Sequence, residues 1–143
     1  MHDSLGHGLA ICYNTTKVEL LKQYHYTGVL EILPVLLKVE NEVIFLVVVY
    51  RRPGPIGTFV INIIEAIDQL LRENPIHGEY RTMVIGDFNW DQMLPQHVAS
   101  LVPLSSHFNF HQRSNYSTHI KGGILDLVFD NGCNTDVQWM FTP

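Results

Sequence analysis

The chain has 143 residues, enough for one domain that buries roughly 68–70% of the surface its unfolded form exposes, so a single core needs no staples. Hydrophobic residues make up 46% and charged residues 16%, which excludes an intrinsically disordered or fibrous chain. Nine Lys and Arg against 14 Asp and Glu leave a formal net charge of −5, so nucleic acid is not favoured as a partner unless its contact is local or metal-assisted.

In chain order, Gly8–Tyr13 is an apolar run entered through glycine and reads as a strand, and Val29–Val39 reads as a second strand, bent at Pro34 because proline cannot donate to a ladder. Glu40-Asn41-Glu42 makes a turn. Val43–Tyr50 is apolar and rich in β-branched residues, the pattern of a strand buried on both faces, so these two strands form a hairpin. Arg51-Arg52-Pro53-Gly54-Pro55 ends it. From Thr58, Phe59, Ile63, Ile67 and Leu70-Leu71 recur at spacings of three and four, which predicts an amphipathic helix capped by Thr58, running to about Arg72 and stopped by Asn74-Pro75. Thr82–Gly86 is a further strand, Gln96–Leu101 a short helix, Ser106–Gln112 an alternating strand and Ile124–Phe129 a last buried strand. Strands interrupted by only two helices do not alternate strictly, so an α+β layered arrangement fits better than a doubly wound parallel sheet.

Three apolar strands carry polar residues where chemistry is possible. Tyr50 follows a run of valines, and Asp87 and Asn89 follow Thr82–Gly86. Asp126 lies inside Ile124–Phe129. Asp87 and Asn89 are two apart, so on an extended chain they face the same way while Phe88 turns inward, giving a proton acceptor beside a neutral donor. An ionised Asp126 in so apolar a strand requires a hydrogen-bonding or charged partner. Each also has a plain reading: Tyr50 as a strand end, Asp87 and Asn89 as caps, Asp126 as a residue bonded to a turn. Arg51, Arg52, Arg113, Lys121 and His119 are candidate phosphate contacts, with a solvated face as the alternative. The histidines show no spacing of a helical zinc site: His107 and His111 are four apart but fall in a segment that reads as extended. Cys12 and Cys133 suggest two free thiols rather than a disulfide framework. No signal peptide is expected from Met1–Ala10, and Val43–Val49 is too short to span a bilayer, so no membrane partner is expected. An intracellular location follows, with nucleus and cytoplasm undecided.

Taken together, Val49-Tyr50-Arg51-Arg52-Pro53, Ile85-Gly86-Asp87-Phe88-Asn89, and Ser117-Thr118-His119 through Ile124–Phe129 resemble motifs of the endonuclease/exonuclease/phosphatase superfamily. The flavour is that of the endonuclease-like domain of non-LTR retrotransposons. The resemblance implies a DNase I-like layered β-sandwich with flanking helices, incomplete at both ends, as one partial domain over residues 1–143. It further implies a metal-dependent phosphodiester hydrolase. Tyr50 would bind the scissile phosphate and Asp87 would activate water. Asn89 would hold phosphate and Asp87 in register, Asp126 would orient a histidine, and Arg51, Thr118 and His119 would contact substrate. Magnesium is the implied cofactor, with Asp87 as a possible ligand. The family's metal-binding glutamate and its Ser-Asp-His motif have no counterpart here. Loss of one general acid or base costs about 10²–10⁴-fold in rate, so the chain alone is expected to be catalytically impaired. The alternatives are a non-catalytic remnant or binding module and a relative of lipid or inositol phosphate phosphatases. Missing strands would expose ladder groups, so self-association through strand edges is expected.

Overall fold

The computed structural model describes residues 8–114 and 122–132. Its elements are β1 (Val18–Gln23), β2 (Glu31–Val39), β3 (Glu42–Tyr50), α1 (Phe59–Glu73), β4 (Arg81–Asp87), α2 (Pro95–Phe108), β5 (His111–Gln112) and β6 (Asp126–Asp130). All six strands form one sheet in the order β1-β2-β3-β4-β6-β5. Neighbours are antiparallel except β3 and β4, which run parallel because the connection between them passes through α1.

The β2–β3 hairpin closes on the pair Val39–Glu42, with Glu40 in the left-handed region at φ 57°. Pro34 lies in the middle of β2, yet it breaks nothing. Its carbonyl accepts the Tyr24 N–H at 3.0 Å, and in an antiparallel ladder a residue turns both backbone groups toward one neighbour. Its missing donor therefore falls beyond the end of β1 and leaves the bonds to β3 intact. β3 is buried on both faces. Phe45, Val47 and Val49 pack with Val84 of β4, Leu127 and Phe129 of β6 and the buried stripe of α1, Phe59, Ile63, Ile67 and Leu70. Ile44 and Leu46 face the other way, against Val35, Leu37 and Ile11. Both helices thus cover one face of the sheet, since Leu101 and Leu104 of α2 join the first cluster.

Several expectations are corrected. Residues 8–13 form no strand: Ile11 packs on the sheet through its side chain, so the segment is apolar without joining the ladder. β1 takes the leading place instead, at residues the sequence pattern leaves unmarked. Thr58 stands at the N-cap position of α1 but makes no side-chain cap hydrogen bond; its hydroxyl accepts from Asn62 Nδ2 at 3.2 Å. The region expected as a strand at Ser106–Gln112 is helical through Phe108, and only His111–Gln112 pair with β6. Asn109 takes a left-handed conformation (φ 58°, ψ 44°) that ends α2 and turns Phe110 into the core. His107 is therefore on a helix, where its Nε2 lies 2.8 Å from Asp68 Oδ2 and ties α2 to α1.

Far from these ends, Asp130 is fully buried in β6 and bound by Arg81 Nη1 at 3.0 and 3.2 Å. Tyr24, 4% exposed, sets its ring edge-on to Phe45. Burial, and secondarily the charge of Tyr80, raise the Tyr24 phenol above its ordinary value of 10.0. A folded-state pKa above the unfolded one gives stability that is complete below about pH 10 and is lost as pH climbs through the folded value. Urea midpoints are expected to fall in that alkaline window, and to fall less in Tyr24→Phe; an equal decline in both would refute the assignment.

Candidate functional site

The ladder registers place the candidate residues in one row. Tyr50 at the end of β3 pairs with Asp87 at the end of parallel β4, and Asp87 pairs with Asp126, the first residue of antiparallel β6. Residues opposite one another in a ladder share a face, and adjacent strands lie about 4.8 Å apart, so three side chains rise side by side across roughly 10 Å. The face is the one opposite the helices, because Val49, Val84 and Leu127, of opposite parity, point into the helical core. Tyr50 also lines a depression of about 440 Å³ with Leu30, Glu31 and Arg52.

Asp126 is exposed, in contrast to its flanking neighbour Leu127 at 1%. The apolar run in which it sits fills the core only from Leu127 onward, so its carboxylate stands at the solvated rim and the expected burial penalty does not arise. Asn89 reaches the row differently from strand alternation. Its φ of 46° breaks the strand after Asp87, its N–H donates to Asp87 Oδ1 at 2.9 Å, and its Nδ2 donates to the Arg51 carbonyl at 2.6 Å. Phe88 between them is fully buried against Phe59 and Phe129. Asp87 and Asn89 cap no helix; α2 starts only at Pro95, after Leu94.

Arg51 is 7% exposed, and its guanidinium turns into the protein. Nε donates to the Phe88 carbonyl (2.6 Å), Nη2 to the carbonyls of Asn89 (2.8 Å) and Gly54 (3.0 Å), and Nη1 to that of Pro55 (3.1 Å). Its guanidinium lies over the rings of Trp90 and Phe59, at 5.1 and 5.8 Å. Burial lowers its pKa and the Asp87 charge opposes that shift, yet a guanidinium stays protonated at any ordinary pH. Arg51 thus clamps the loop that carries Asn89. Arg52 pairs with Glu31 at 3.1 Å, and Arg113 is directed to the Gly132 carbonyl and Asp130. Thr118, His119 and Lys121 lie outside the described residues.

Asp91 is a residue that sequence reasoning passed over. Its Oδ1 accepts the N–H of Ile124 at 2.9 Å, and Phe88 N and Gln92 N donate to the carbonyls of Leu125 and Ile124. This stitching fixes the approach of β6, and with it the position of Asp126 beside Asp87. Of the described histidines, His97 stacks on Trp90 at 3.7 Å, His107 meets Asp68, His111 is exposed and joins the ladder opposite Asp130 through its backbone, and His25 lines a groove along α1.

A magnesium ion keeps much of its water and needs only one or two carboxylates beside substrate oxygens. Asp87 and Asp126 satisfy that donor requirement in kind. Among the described residues no group of three or more His, Cys, Asp or Glu is placed to hold a metal. Among them, too, no helix is long and apolar enough to cross a membrane.

No protein-family model and no curated protein sequence matches the chain. Solved structures do. The endonuclease domain of TRAS1, a telomere-specific non-LTR retrotransposon, matches with a TM-score of 0.50 and 21% identity over 68% of this chain and 47% of that one. An endonuclease/exonuclease/phosphatase family protein from Bacteroides thetaiotaomicron matches at 0.50 and 13%, over 83% and 52%. A mannosyl-6-phosphatase from Bacteroides thetaiotaomicron VPI-5482 matches at 0.50 and 12%, over 82% and 54%. The chain therefore has the DNase I-like fold of the endonuclease/exonuclease/phosphatase proteins, and it spans about half the length of those structures.

Proposed function

We propose that the Tyr50–Asp87–Asp126 row, with Asn89, is a phosphodiester-hydrolysing centre of the endonuclease type, slow in this chain by itself. The observation that supports this reading is the register that lines up one phenol and two carboxylates on adjacent strands at one end of the sheet. The phenol of Tyr50 donates to a non-bridging oxygen. Asn89 has spent one Nδ2 hydrogen on Arg51 and offers the other, with its amide oxygen still able to accept. Asp87, held at Oδ1 by the Asn89 N–H, turns its second oxygen to the attacking water and receives its proton. Asp126 and Asp87 would hold magnesium, which supplies neutralisation of charge on the phosphoryl oxygens. Among the described residues the row holds no acid for the leaving group, and a proton drawn from solvent instead makes the step slow.

The similar TRAS1 domain is an endonuclease and another similar protein is a mannosyl-6-phosphatase, so the fold carries more than one phosphoester chemistry. The test is nicking of supercoiled DNA in magnesium over long incubation. A low, magnesium-dependent rate that falls to background in Asp87→Ala is expected, with a phosphomonoester run in parallel as the phosphatase arm. Nicking that survives the substitution identifies a contaminant and defeats the proposal. A second reading, a phosphate-binding module without turnover, draws on the placement of His97 and His107 against other partners. Magnesium-dependent DNA binding lost in Asp87→Ala, with no nicking, selects it.

A further inference from the structure

Among the described residues β1 is an edge of the sheet, and five of its six residues, Glu19 to Gln23, are exposed. Such an edge presents unpaired backbone groups and is a template for another strand. Its register against β2 shifts between Leu20 and Lys22, so Leu21 is an extra, bulged residue. The shift changes which side chains share a face. Val18, Leu20 and Gln23 pair with Val39, Leu37 and Val35, on the face away from the helices, whereas Glu19 and Lys22 pair with Lys38 and Leu36 on the helical face. Lys22 confirms this, since its Nζ reaches Asn74 Oδ1 at the end of α1, 2.7 Å away. In a regular strand, residues three apart would point to opposite faces.

We propose that β1 pairs antiparallel with β1 of a second copy of this chain, about a two-fold axis through Leu20-Leu21. Such an axis must set opposite one another residues that share a face. Because of the bulge, Val-Glu-Leu-Leu-Lys-Gln meets that condition with itself: Glu19 faces Lys22 of the second copy, Lys22 faces its Glu19, and Val18 faces its Gln23. Leu20 and Leu21, 40% and 41% exposed, meet the same pair across the axis. Glu19, opposite Lys38 in the ladder, makes no hydrogen bond or close ion pair among the described residues, and Lys22, which holds Asn74 with one of its three N–H groups, keeps two for a carboxylate. The product is one continuous sheet to which the described residues of each copy contribute six strands. A lysine at an edge ordinarily repels a partner strand; here it is met by opposite charge in both directions.

Sedimentation velocity over a concentration series tests this with the whole chain. The wild type is expected to dimerise reversibly. Glu19→Lys, and separately Lys22→Glu, set like charges opposite one another twice per interface and should weaken association about tenfold or more. The double reversal Glu19→Lys/Lys22→Glu restores both pairs and should dimerise again. An equimolar mixture of the two single variants should form heterodimers, because each supplies the charge the other needs. Circular dichroism confirms that each variant is folded, and Glu19→Lys carries the test if Lys22→Glu is not. A wild type that stays monomeric at its highest soluble concentration overturns the proposal. So does a dimer indifferent to charge reversal, or a double variant and a mixture that both remain monomeric.

Discussion

Gly86→Ala is expected to cost about 3–5 kcal/mol, a large share of the ~5–15 kcal/mol that holds a domain folded, and to displace Asp87 from its row. Gly86 has φ 148°, a conformation that side chains other than hydrogen rarely adopt, and it is paired with Val49 on the neighbouring parallel strand. A Cβ built there would lie 1.8 Å from the Val49 carbonyl oxygen and 2.7 Å from its carbon. These are backbone atoms of a 1% exposed residue in a central strand, so neither can withdraw. Relief must come from β4, whose next residue is Asp87. Urea unfolding measures the cost; a loss below about 1 kcal/mol would show that the backbone at 86 is not held in this conformation.

The second large effect is expected at Arg51. Arg51→Lys keeps the charge but loses the planar fork, and a single ammonium cannot serve carbonyls at Gly54, Pro55, Phe88 and Asn89 together. Two or more buried charge-assisted hydrogen bonds disappear, and the stacking on Trp90 weakens, for a cost of about 3 kcal/mol. The reciprocal bond from Asn89 Nδ2 to the Arg51 carbonyl makes the loss felt at the site. A side-chain amide resonance for Asn89 that is protected in the wild type and averaged in Arg51→Lys would register the uncoupling. A variant as stable as the wild type would dismiss the clamp.

Much of this architecture is legible in the chain because burial writes a periodic signal. The hairpin around Glu40-Asn41, the helix after Thr58, and the strands before Asp87 and after Ile124 all bury apolar side chains at regular spacing. β1 is silent for the opposite reason: an exposed edge strand has no buried face to alternate. α2 is shortened in the sequence by Pro103 and by the alternation of Phe108 and Phe110, which the left-handed Asn109 produces without a strand. Tyr50, Asp87 and Asp126 stand out as polar residues in oily strands. That they form a row is not legible, since it depends on β4 lying between β3 and β6, a matter of topology. Nor does the chain reveal that Arg51 turns inward while Arg52 turns out to Glu31.

The buried Asp130 sets the alignment on which the row depends. It stands four residues along β6 from Asp126, opposite Met83, which stands four residues along β4 from Asp87. A slip of one position would carry Leu127 or Leu125 beside Asp87, and would also drag a carboxylate that is 0% exposed away from Arg81 of β4. An ion pair stripped of one member in such surroundings costs about 3–5 kcal/mol, and the same slip would turn Leu127 and Phe129 out of the core. The anion at one end of the sheet therefore acts as a ruler for the distant end, measuring off the strand so that two carboxylates meet.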